Sequence, residues 1–104
     1  MKLEQITASQ LEALLNKKEA IEVIDVRESF ELEMGKVPEA IHIPLQQLLH
    51  KTSQLDRNKR YAIICHSGSR SEVACKLLEM HGLQTMNVID GMLGWQGKLV
   101  KKTE

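Results

Sequence analysis

The sequence predicts an α/β fold with a mainly parallel central sheet and helices on both faces. Three short apolar runs, 21–26 (IEVIDV), 61–64 (YAII) and 86–89 (MNVI), have the length and β-branched content of strands buried on both sides. Segments with helical spacing separate them, so crossovers rather than hairpins join the strands.

Thr7 and Gln10 form a capping box, and Leu11, Leu14 and Leu15 then share one face of the first helix. The run 21–26 is the first interior strand. Residues 29–34 read as a short helix stopped by Gly35, followed by an extended stretch over 37–44 and a second short helix over 45–50. The strand 61–64 ends at Cys65. A longer helix is expected from near Ser71, with Val73, Leu77 and Met80 on its apolar face, Ala74 and Leu78 beside them, and Gly82 at its C′ position. After the strand 86–89, Gly91 and Gly94 mark turns, and Trp95 reads as a core residue closing the last of them. Met1 and residues 101–104 are expected to fray.

The 104 residues suit one domain. Fourteen Lys and Arg cancel fourteen Asp and Glu, and no dense basic stripe invites nucleic acid or an anionic membrane. Aromatics are 3% of the chain, so the core must be aliphatic. Two cysteines do not make a disulfide scaffold. The opening MKLEQITASQ has no apolar signal-type run, and no apolar run approaches the roughly 18 residues of a membrane span. A reduced, cytoplasmic setting is the expectation.

The chemistry concentrates in Cys65-His66-Ser67-Gly68-Ser69-Arg70, between a strand end and a helix start. In parallel sheets, ligands bind beyond such carboxyl ends. A thiol becomes a good nucleophile only as thiolate, and its free pKa is about 8.5. The helix dipole, converging backbone N–H groups and the Arg70 cation would each lower that value. Gly68 permits a backbone conformation that a Cβ would forbid. The bland reading, a small buried hydrophobe at a strand end, does not explain why a Gly, an Arg and a helix start follow.

This loop resembles the Cys-x-x-Gly-x-Arg loop of rhodaneses, and the chain is similar to a single-domain rhodanese over about residues 3–99. Residues 24–28 (IDVRE) resemble the family's Asp-Val-Arg-Glu strand end. Residues 35–44 (GKVPEAIHIP) follow its Gly-His-Ile-Pro-Gly-Ala-Ile-Asn-Ile-Pro without a gap, and 89–95 (IDGMLGW) resemble its Gly-Gly-x-x-x-Trp turn. Lys36, Glu39, His42 and Asp90 depart from the pattern at positions that are mainly structural in the family.

The resemblance implies one rhodanese-like domain over 1–104, working as a sulfurtransferase. Cys65 takes a sulfane sulfur from a small donor such as thiosulfate and passes the resulting persulfide sulfur to cyanide, a thiol or a protein. It implies that the six loop N–H groups and Arg70 hold the anionic sulfur, and that no metal or organic cofactor takes part. Protein partners that donate or accept sulfur fit such a site.

Two rivals stand beside it. Cysteine phosphatases and arsenate reductases use Cys-x5-Arg, but Arg70 comes one position early for that cradle and Ser71 stands where the Arg should be. A rhodanese-like binding module, or a persulfide carrier with little turnover, would use the same fold. Asp25 and Arg27 read as an ion pair bracing the strand end beneath the loop rather than as an acid/base couple. Cys75 reads as a packing residue, with a role in resolving an oxidised Cys65 as the alternative. His66 either presents a cation to an anionic donor or faces water. His42, His50 and His81 lack zinc-site spacing. The cluster Lys98, Lys101 and Lys102 is a solvated end or a means of steering an acidic carrier.

Overall fold

Residues 3–101 are described by a computed structural model; Met1 and residues 102–104, with their expected fraying and the Lys102 of the basic cluster, lie outside the described residues. Thr7 starts helix α1 (Ala8–Asn16) as its capping box dictates: Thr7 Oγ1 accepts the Gln10 N–H at 3.1 Å, and Gln10 Oε1 accepts the Thr7 N–H at 2.9 Å. Asp90, from the far end of the chain, accepts the next N–H, that of Ala8, at 2.8 Å.

Among the described residues five strands form one sheet: β1 (Glu4–Ile6), β2 (Ile21–Asp25), β3 (Ile41–His42), β4 (Arg60–Ile64) and β5 (Gln84–Val88). Their order is β1-β5-β4-β2-β3, and every paired strand is parallel. The register runs Ile24 to Ile63 between β2 and β4, and Ala62 to Met86 between β4 and β5. One antiparallel bridge outside these strands ties Lys36 to Val100.

Alternate residues of the strands feed opposite layers. Ile24, Tyr61 and Ile63 face a layer with Leu48 and with Ala74, Cys75 and Leu78 of helix α2 (Ser69–Met80). Val23, Ala62, Ile64 and Met86 face Ala8 and Leu11 of α1, with Trp95 at the rim. The layers therefore lie on both sides of the sheet, and the aliphatic core is as the composition demands. The Cα radius of gyration is 12.4 Å.

The short helices over Ser29–Met34 and Leu45–His50 are present as 3-10 turns, the first ending at Gly35. Five points depart from expectation. Strand β1 was not anticipated, because two of its three residues are polar, exposed side chains on an edge strand. Strand β5 begins two residues before and ends one residue before the run 86–89, since Thr85 joins the ladder opposite Tyr61. Helix α2 begins at Ser69 rather than near Ser71 and buries Ser71, Ala74, Cys75 and Leu78. Ala74 and Leu78 of the expected apolar face are buried, but Val73 and Met80 are exposed and Leu77 is only half-buried, so the buried face is rotated away from the expected centre. Trp95 is only half-buried, its Nε1 donating to Lys98 O at 3.0 Å.

Candidate active site

Cys65 is the first residue beyond β4, the middle strand of the sheet. Gly68 is the N-cap of α2, with φ +100°, and a Cβ there would stand 2.1 Å from Ile89 O. Only glycine fits this turn. A glycine has no side chain to cap the helix, and Cys65 Sγ takes that place. It accepts the N–H of Ser71, the third helical residue, at 3.4 Å, and the Gly68 N–H at 3.1 Å.

Ser71 Oγ lies 3.4 Å from Sγ and donates to Asn87 Oδ1 at 2.5 Å. Asn87 Nδ2 in turn donates to Gly68 O at 3.3 Å, which fixes the orientation of the amide because a carbonyl can only accept. Ser71 and Asn87 are as buried as Cys65, so this chain of bonds sits behind the sulfur and away from water.

Burial by itself would push the Cys65 thiol up. The hydrogen bond shared with the Ser71 hydroxyl and those from the N–H groups of Ser71, Gly68 and Ser67 outweigh it, and the net direction is down. Of the six loop N–H groups expected to converge, those of Gly68 and Ser71 make hydrogen bonds to Sγ. Cys75 is the reverse case: burial pushes its thiol up to about 11. The two free cysteines thus separate into a poised sulfur and an inert one.

The 3-10 turn over Gly91–Gly94 holds the loop from the other side. Met92 N–H donates to Cys65 O at 2.8 Å and Leu93 N–H to His66 O at 3.1 Å. Gly91, at φ +56°, makes this approach possible, since a Cβ would lie 2.5 Å from Cys65 O.

Arg70 requires a correction. It lies in the first turn of α2, and its guanidinium grips Glu31 through two bonds, Nη1 to Oε1 at 2.7 Å and Nη2 to Oε2 at 2.8 Å. That fork directs the cation at a carboxylate. Hydrogen bonding to Arg70, helped by the Glu28 N–H and the nearby guanidinium charges, overcomes burial and holds the Glu31 carboxyl down at about 2. Asp25 and Arg27 form the expected ion pair at 2.9 Å, both buried. Arg27 also donates to Gly35 O at 3.0 Å and Glu31 O at 3.3 Å, tying the strand end to the short helix over Ser29–Met34. His66, Ser67 and Ser69 are exposed at the loop surface.

Glu31, Ser71 and Asn87 escaped the sequence reading. Ser71 alone had a local signal, as the residue just past the loop pattern. Among the described residues no group of three or more His, Cys, Asp or Glu side chains is arranged to hold a metal, and no helix is long and apolar enough to cross a membrane.

Residues 7–98 match the Rhodanese-like domain family. The Bacillus subtilis protein named "Putative sulfurtransferase YtwF" is 37% identical over 98% of this chain and 99% of its own length. Another from that organism, "Putative sulfur carrier protein YrkF", is 35% identical over 90% of this chain, which spans 51% of that protein. A rhodanese-like domain protein from Staphylococcus aureus superposes with a TM-score of 0.90 at 30% identity, covering 97% of this chain and all of the other.

Proposed function

The chain belongs to the rhodanese-like domain family, and from that premise we propose that it is a sulfurtransferase that moves sulfane sulfur through a persulfide on Cys65. The observation that carries the reading is the buried sulfur at the N-terminus of α2, held by the N–H groups of Gly68 and Ser71. In the first half-reaction the Cys65 thiolate attacks the sulfane sulfur of a donor such as thiosulfate. An S–S bond forms to Sγ, the donor's own bond to that sulfur breaks, and the leaving group (sulfite, from thiosulfate) departs with the electron pair. In the second, a thiophile such as cyanide, a thiol or a partner protein attacks the outer sulfur and releases Cys65 as thiolate.

Cys65 is the nucleophile in this scheme. His66, Ser67, Gly68 and Ser69 form the rim of the cradle, and the outer sulfur, an anion, is stabilised by loop N–H groups and the helix dipole. Arg70 acts through Glu31, fixing the short helix over Ser29–Met34 against the loop. Asp25 and Arg27 brace the strand end. The cytoplasm, where thiols stay reduced, suits a protein with two free cysteines.

A carrier role uses the same persulfide and differs only in slow release to small acceptors; the relative named as a sulfur carrier favours keeping it. Phosphoryl transfer finds less support, since the Arg that its cradle needs is one position early and bonded to Glu31.

Intact-protein mass after brief incubation with thiosulfate or a reactive persulfide tests the reading. Wild type should gain one sulfur atom, lost on adding cyanide or a thiol, and Cys65→Ser should gain none. An adduct retained in Cys65→Ser, or no adduct on wild type with a free Cys65 thiol, would overturn it.

A further inference from the structure

Beside the sulfur cradle lies a cavity of about 480 Å3, bounded by Glu31, Phe30, Met34, His66, Leu93 and Leu99. It borders the loop at His66 and also at Met92, whose N–H holds Cys65 O. Phe30, Met34, Leu93 and Leu99 are 70%, 86%, 69% and 49% exposed. Scattered exposed apolar residues are ordinary, but four large ones converging on one cavity beside a nucleophile mark a binding surface.

Charge narrows what that surface accepts. The cavity's one guanidinium, Arg27, is bonded to Asp25, and Arg70 next to it is bonded to Glu31. The open loop positions are His66, Ser67 and Ser69, without Lys or Arg. A dianionic donor therefore approaches the Cys65 thiolate with neither guanidinium free to offset the repulsion. An apolar body with a single reactive sulfur meets no such barrier.

Resting on the sulfurtransferase reading, we propose that this cavity takes the carbon end of a small hydropersulfide, R–S–SH, in which R is apolar, and presents its terminal sulfur to Cys65. The thiolate attacks that terminal sulfur and a new bond to Sγ forms. The donor's S–S bond breaks, and R–S⁻ leaves with the electron pair and takes up the proton of the transferred SH. The products are R–SH and the Cys65 persulfide anion, with no oxidant or reductant consumed.

The test follows the rate of Cys65 persulfide formation by intact mass with thiosulfate and with ethyl, butyl and hexyl hydropersulfides at equal concentration. The expected second-order rate rises about two- to fourfold per added methylene, and thiosulfate is the slowest donor. Phe30→Ser combined with Leu93→Ser flattens the chain-length dependence; both side chains project into water, so the fold tolerates the change. Rates independent of chain length, a dependence unchanged in the double variant, or thiosulfate as the fastest donor each overturn the proposal, while a persulfide on Cys65 leaves sulfur transfer standing. No persulfide from any donor overturns both.

Discussion

Arg70 is a fixed positive charge beside a thiolate, yet its guanidinium is taken up by Glu31, itself held down at about 2. A carboxyl lowered by folding stabilises the native state above its unfolded pKa, 4.5, and that contribution is lost as pH falls through about 2. Glu31→Gln should therefore cost about 1–2 kcal/mol at neutral pH, a figure kept modest because Arg70 is a third exposed, and the gap to wild type should close below pH 4.5. Urea unfolding of both proteins at neutral and acid pH checks this; an equal gap at both would dissociate Glu31 from the effect. The residues of the site divide by how far apart they lie in sequence. Cys65, Gly68 and Arg70 sit within one turn of chain, where a thiol, a glycine and a helix start inform one another. Glu31 is 39 residues from Arg70, and Asn87 is 16 from Ser71, so nothing local links either to the sulfur. Asp25 and Arg27, two residues apart at a strand end, were readable as a pair for the same reason that Glu31 was not.

Helix α2 shows how an element can be found and its buried face still be only partly read. Val73, Leu77 and Met80 follow one helical stripe, and Ser71, Ala74, Cys75 and Leu78 follow another. The expected face joined the first stripe to Ala74 and Leu78, but the sheet takes only the second, because small residues let the helix approach β4 and β5 closely while Ser71 reaches the sulfur. Leu78→Ala should then cost about 2–5 kcal/mol, whereas Val73→Lys should stay within about 0.5 kcal/mol of wild type, both read from denaturant midpoints. The reverse ranking would mean the helix packs on its other face. Strands β2 and β4 were legible because they are largely buried on both sides and so are mostly apolar, while β1 pairs on only one edge and carries little pattern.

At the scale of the whole molecule, the parallel order β1-β5-β4-β2-β3 puts the carboxyl ends of β2, β4 and β5 side by side, and all three deliver residues to one place: Asp25 and Arg27, Cys65, and the turn over Gly91–Gly94. The α/β class and its layers followed from the alternation of apolar strands with helices, whereas the convergence of these three ends is a property of pairing that no single segment encodes. The sulfur in turn is a structural part of this convergence, since Sγ caps α2 where Gly68 has no side chain to do so. Whatever is attached to that atom is thus also a change in how the longest helix is terminated, worth about 0.5–2 kcal/mol when an N-cap is lost. Alkylation of Cys65 should lower the melting temperature by several degrees, at roughly 4–8 °C per kcal/mol for a domain of this size, and loading with an anionic sulfur should raise it; identical melting of free, alkylated and loaded protein would contradict the capping role. Heat stability becomes a gauge of cargo. Candidate donors and acceptors can be ranked without a label or a coupled reaction, by whether each one stiffens or softens the protein that carries the sulfur.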